Sequence, residues 1–446
     1  MKGSNTEALI NQSSPFKGTG GMTERLLQFI WQFQYFNKSE LTTFSGETLQ
    51  IVSPGKINTN QGPDFTDAKI RIGKTLWAGT IELHIHTTDW KRHKHQSDKN
   101  YNNVILHVVW ENDKEDTRFP VMELKQRVSK ILLERYEELM NSSAFIPCEK
   151  SLPAGQAGIN SVRDITWKGW KERLLAERLI RKAKTVETFL QQNNYHWEET
   201  FWWMLARNFG MKVNADTFES IARSIPLNVL AKHKTQIHQL EALLLGQAGL
   251  LEGKFSEDYP KLLQKEYKFL KEKYSLKKTY LPVHFLRMRP GNFPTIRLAQ
   301  LAILAHRSAH LFSKIKEAKN IAEIKKWLDV TANDYWHYHY RFDEASSFKK
   351  KNLGTTMIDN IIINTIVPVL FAYGNYHSEN QYKDKALKWL ESSAPESNSI
   401  TKGFQHLGIE NKNAFDSQAL IELKNEYCNK KKCLDCTVGN YLLKTN

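Results

Sequence analysis

The hydrophobic period changes twice along this chain, and that change limits the fold more than any other feature. Residues 22–36 carry Leu26, Leu27, Phe29, Ile30, Phe33 and Phe36 at helical spacing, behind Thr23 as an N-cap. The pattern then turns to period two. ETLQIVSPG, DAKIRIG, TLWAGTIELHIH and NNVILHVVWEN read as strands separated by Gly, Asn, Asp and Pro, with FPVMELK as a fifth. Over residues 126–140 the helical period returns, with Val128, Ile131, Leu132, Tyr136 and Leu139 on one face. Beyond the Gly- and Pro-bearing residues 151–160, the period is helical almost throughout.

These shifts predict an α+β protein. An N-terminal mixed-sheet α/β domain covers residues 22–150, a linker covers 151–160, and a larger all-α domain covers 161–446. A length of 446 residues exceeds what one core usually serves, which agrees with two domains. Residues 1–21 are rich in Ser, Gly, Asn and Thr and have no apolar centre, so a disordered leader is expected, with Met22 as the functional start. The longest apolar run, residues 361–372, is broken by Asn364 and Pro368 and reads as a buried helix, not a membrane span. Four cysteines are too few for a disulfide framework at this length and point to a reducing cytoplasm. The net charge of +15 favours a polyanionic partner, nucleic acid first. Oligomeric state is not legible.

Chemistry concentrates in GPDFTDAKIRIGKTLWAGTIELHIHTTDWKRHKHQ. Alternate strand residues share a face, so Ile81, Leu83 and Ile85 point one way and Glu82, His84 and His86 the other. Pro63-Asp64 opens the preceding strand, and Asp67 follows. His84, His86, His93 and His95 lie close together, with Asp89 and Asp98 nearby, and two imidazoles on one strand face suit Zn²⁺. His107 sits in the apolar run VILHVVW; it reads as buried, and becomes a supporting residue or ligand if its strand neighbours Glu82. A rival arrangement uses Glu123 and Lys125, with Asp113 or Asp116 upstream. A polar strand face simply meeting water is the bland alternative.

Three further segments stand out. Cys428, Cys433 and Cys436 form a Cys-x4-Cys-x2-Cys array to which Cys148 could add a fourth thiolate, a set suited to zinc or an iron–sulfur cluster. Arg287, Arg289 and Arg297 flank a Pro-Gly-Asn turn before a helix, where arginines suit phosphate, or pair with acids across the domain. DYWHYHYRF could stack bases or form a buried aromatic face.

Pro-Asp, a hairpin-length gap and then Glu-x-basic resembles the PD-(D/E)xK nuclease superfamily. That resemblance implies a restriction-endonuclease-like domain in which Asp64 and Glu82 coordinate Mg²⁺ or Mn²⁺. Glu24 on the preceding helix would match a further acid, and His84 would stand where the superfamily has lysine. A histidine is not a fixed cation, so this is a departure in charge. Some of those nucleases clasp an iron–sulfur cluster with one distant and three clustered cysteines, though here the lone Cys148 follows the motif. Separately, NQGPDFTDAKI, GTIELHIHTTDW, YNNVILHVVWEND, EALLLGQAGLL, RPGNFPTIRLAQLA and the cysteine tail resemble, over nearly the whole chain after Met22, a bacterial family of uncharacterised proteins known only as a domain of unknown function. The residues thus predict a metal-dependent nuclease or nuclease-like nucleic-acid-binding protein; the alternatives are a non-catalytic nucleic-acid- or protein-binding scaffold and a zinc-dependent hydrolase built on the histidines.

Overall fold

The computed structural model describes residues 22–114, 118–149, 158–279, 281–286, 288–308 and 310–444. The expected leader, most of the expected linker, Asp116 and Arg287 lie outside them. The protein is a mixed α+β chain, with a sheet near the N-terminus and helices dominating thereafter. It divides into two units, one formed by Met1–Trp170 with Leu423–Asn446, the other by Lys171–Glu422.

In the first unit, α1 (Glu24–Phe33) starts where Thr23 accepts a bond from the Leu26 N–H at 3.1 Å, satisfying one of the helix's free donors. The sheet comprises β1 (Leu49–Ser53), β2 (Lys56–Ile57), β3 (Phe65–Ile72), β4 (Thr75–His86), β5 (Val104–Glu111) and β6 (Val121–Glu123). Its order is β1-β3-β4-β5-β6, with β2 pairing on β3. β3 and β4 form an antiparallel hairpin, whereas β5 runs parallel to β4 and β6 parallel to β5. A parallel neighbour needs a crossover, and residues 87–103 provide one through α2 (Asp89–Arg92) and two short 3₁₀ turns.

β5 lies between two parallel strands with both faces covered, and all its residues but the last are buried, which is why its sequence is continuously apolar. Gly79 lets β5 start close beside β4: a Cβ there would lie 2.5 Å from the Asn103 carbonyl oxygen. That approach sets a register in which Glu82 pairs with His107. Past α3 (Lys130–Asn141), the C-terminal residues return to this unit. In the last helix, Thr437–Lys444, Val438, Leu442 and Leu443 are buried, and Arg135 donates to the Leu442 carbonyl at 3.4 Å. The cysteine tail, expected within the helical domain, therefore belongs with the sheet because its apolar helix face finds cover there.

The second unit is helical around one core that runs from Leu175 to Ala414. The helix Thr355–Tyr376 is long and apolar enough to cross a bilayer, but 67% of its most apolar window is buried in the protein. DYWHYHYRF is divided: Trp336 is fully buried and Tyr335 stacks on His339 with ring centroids 4.1 Å apart, whereas Tyr338 is exposed.

Candidate metal centre

The β3–β4 hairpin and α1 bring two acids together. Asp64, one residue before β3, and Glu82, on β4, are tied by backbone bonds: the Asp64 N–H donates to Glu82 Oε2 at 3.1 Å, and the Leu83 N–H donates to Asp64 Oδ2 at 3.0 Å. Gln28 on α1 donates its amide to Asp64 Oδ1 at 2.7 Å. Glu24 lies one turn earlier on that helix, half-buried and near enough for its charge to act on Asp64.

Three imidazoles close the pocket. His84 is buried on β4, and its Nδ1 shares a hydrogen bond with His107 Nε2 at 2.9 Å. His93 and His95 arrive from the crossover. Glu82 Oε1 faces His84 Nε2 at 3.4 Å and His95 Nε2 at 3.3 Å, yet neither nitrogen completes a hydrogen bond although both are buried. Among the described residues, His84, His93 and His95 form a group whose ligand atoms all lie within 4.8 Å of one another. Trp90, buried on α2, sets its ring edge-on to His84, His95 and His107, and Tyr101 stacks on His95 at 3.9 Å. This aromatic wall holds the imidazoles in place.

The electrostatics show a pocket at odds with its own charges. Burial raises the carboxyls of Asp64 and Glu82; Asp64 raises Glu82 further, and Glu24 raises both. Burial also raises Glu24 itself. Burial, followed by His107, His93 and His95, holds His84 far below the ordinary histidine range, and burial with His93 lowers His95. Neutral imidazoles are the metal-binding form, and carboxylates that crowd one another are relieved by a cation. Orphaned Nε2 atoms on two of three clustered histidines, with a carboxylate between them, fit a divalent ion by donor chemistry.

The other sequence-predicted residues fall elsewhere. Asp67 does not join the pocket: it sits at a β-bulge with φ of 57°, is exposed, and pairs with Lys56 at 3.5 Å. His86 lies farther along β4, its backbone N–H donating to Asp89 Oδ2 at 3.0 Å, outside the three-histidine group. The rival Glu-x-Lys is used locally: Glu123 accepts from the Asn112 N–H at 3.2 Å, and Lys125 pairs with Glu111 at 2.7 Å. Asp113 accepts the Thr88 N–H at 3.0 Å. In the other unit, Arg297 is buried and bonded to Asn292 at 2.5 Å and Gln300 at 2.9 Å, which withdraws it from any phosphate; Arg289 is exposed. Sequence reasoning missed Gln28, Trp90 and Tyr101. The Glu24-x3-Gln28 spacing, which sets both on one helix face, was the available signal for the first.

A chain whose sheet gathers acids and imidazoles into one pocket, and whose remaining residues form a separate helical unit, has the organisation of a site-bearing α+β protein. It belongs to the family described as Protein of unknown function (DUF2851), whose match covers residues 24–399. That span takes in both Glu24 and the whole pocket. No curated protein and no solved structure matches the chain.

Proposed function

We propose that the protein is a divalent-metal-dependent phosphodiesterase acting on nucleic acid. The observation that carries this reading is the meeting of Asp64 and Glu82 in one pocket against His84 and His95, two acids from adjacent strands with unsatisfied imidazole nitrogens beside them. A strand order in which an antiparallel meander is followed by a parallel strand, with the acids just before β3 and within β4, supports the nuclease resemblance noted in the sequence. The net charge of +15 supports a phosphate-rich substrate.

Asp64, Glu82, His84 and His95 would hold the ion, which supplies Lewis acidity and a water of lowered pKa. Gln28 and the Leu83 N–H fix Asp64, and the Asp64 N–H fixes Glu82. His107 fixes the ring of His84 through the nitrogen turned away from Glu82. His93 is exposed at the rim, where an incoming phosphate meets it first. Cleavage of DNA and RNA substrates with Mg²⁺, Mn²⁺ or Zn²⁺ tests the reading: wild type cleaves and Glu82→Ala does not. Equal cleavage by both, or none by either, overturns it.

A second reading, a zinc-dependent hydrolase of another substrate, is favoured by one observation, the mutual 4.8 Å spacing of His84, His93 and His95. Zn²⁺-specific turnover of simple esters, lost in His93→Ala and indifferent to nucleic acid, would select it.

A further inference from the structure

The second unpaired chemistry in this chain lies at its C-terminal end. Cys148 precedes the undescribed stretch at 150–157, while Cys428, Cys433 and Cys436 lie near the chain end, yet all four belong to the sheet-bearing unit. Each of Cys148 and Cys428 responds electrostatically to Cys433 and Cys436, and Cys428 responds to Cys148 itself. None is in a disulfide. Cys148, Cys433 and Cys436 are each 8% exposed. Buried thiols gathered from both ends of a unit need a reason beyond packing, since cysteines so close are open to oxidation.

The surroundings of the sulfurs supply it. Cys436 immediately precedes the helix Thr437–Lys444, and the backbone N–H groups of Val438 and Gly439 favour its thiolate. Hydrogen-bond donors aimed at sulfur favour thiolate over thiol. Gly439 is required for that turn: a Cβ there would lie 2.2 Å from the Cys433 carbonyl oxygen. Lys424 acts favourably on a Cys428 thiolate and Lys431 on a Cys433 thiolate. Independent contacts locate the tail without help from the cysteines. Arg25 pairs with Asp435, Tyr35 donates to Asn440 at 2.7 Å, and Lys431 reaches the Met140 carbonyl. With Lys424 lying over the Phe145 ring at 4.9 Å, these contacts bring the segment that carries three thiols back against the one that ends at Cys148.

We propose that Cys148, Cys428, Cys433 and Cys436 form a thiolate metal centre, for zinc or an iron–sulfur cluster, that clasps the C-terminal residues to the sheet-bearing unit. Burial pushes up all four thiols, and neighbouring thiols push Cys148, Cys428 and Cys433 further, an opposition that a thiophilic metal removes. The centre is separate from the carboxylate–histidine pocket in ligand chemistry and does not depend on the proposed activity. Among the described residues, the 4.8 Å grouping that unites the three histidines does not extend to the thiols.

The full chain, purified without air or metal-affinity resin, is assayed for zinc, iron and acid-labile sulfide. Either about one zinc ion per chain, or iron with matching sulfide, is the expected result, and the two contents distinguish the ion from the cluster. After chelation, Co²⁺ titration is expected to give thiolate charge-transfer absorption that Cys148→Ser and Cys428→Ser abolish and His95→Ala leaves intact. Trypsin should cut at Lys430–Lys432, between the ligands, at least tenfold faster in chelated protein than in loaded protein. Wild-type protein holding no zinc, iron or sulfide, and giving no Co²⁺ thiolate band, overturns the proposal without reliance on any variant; so does full metal content in folded Cys148→Ser.

Discussion

Glu82 and Glu241 are both withdrawn from water, at 5% and 0% exposure, yet their surroundings differ in kind. Glu241, in the helical unit, accepts from the Tyr259 hydroxyl at 2.9 Å, the Trp336 indole at 2.9 Å and the Asn333 amide at 2.7 Å. Both its oxygens meet donors built into the core. Glu82 accepts one backbone N–H, and its other oxygen faces two imidazole nitrogens that complete no bond with it, beside a second acid. A buried acid that serves the fold comes with its donors. One that serves a ligand is left short of them, and the fold bears the cost.

That contrast can be broken at either end. The largest effect is expected at the pocket: Glu82→Ala lowers phosphodiester cleavage by about a thousandfold or more, near 4 kcal/mol in the barrier, measured as kcat/KM with saturating Mn²⁺. The same change should leave the fold in place, whereas Glu241→Leu strands three donors and costs about 3 kcal/mol in urea unfolding. If Glu241→Leu is harmless, the structural role given to that acid is wrong.

Next comes pH. Burial, opposed by its hydrogen bonds, raises Glu241 from an ordinary 4.5 to about 7. Its contribution to stability is complete below about pH 4.5 and is lost as pH rises through 7, a change of roughly 2–3 kcal/mol. Urea unfolding at pH 5 and pH 8 should show this difference in wild type and lose it in Glu241→Gln. His107→Ala, which frees the ring of His84, should weaken Mn²⁺ binding by about ten- to a hundredfold with little change in melting temperature. The smallest effect belongs to the rival motif: Lys125→Ala, which breaks only a surface pair with Glu111, should alter cleavage by no more than about twofold. A large loss there would move the site to Glu123.

What could be read from the sequence was what local rules govern. Strand alternation set Glu82 and His84 on one face, and a hairpin-length gap brought Asp64 beside them. The Thr23 cap likewise follows from local geometry. Asp67 escaped because a bulge inserts a residue and turns it outward, which alternation cannot anticipate. His93 and His95 were visible as neighbours of the motif, but their position beside His84 depends on the path of a crossover. Gln28, Trp90 and Tyr101 entered through packing between elements, which no spacing encodes. The same is true of the burial of Arg297 and of the tail's return to the sheet.

In the proposed site, Asp64, Glu82, His84 and His95 hold one divalent cation. Mn²⁺ is the direct probe, because thiolates disfavour it and the cysteines will not compete. Electron paramagnetic resonance during Mn²⁺ titration of chelated protein should show one bound ion per chain with imidazole-nitrogen coupling, absent in Glu82→Ala. Wild type that binds no Mn²⁺, or binds it no better than Glu82→Ala and without nitrogen coupling, would contradict the account.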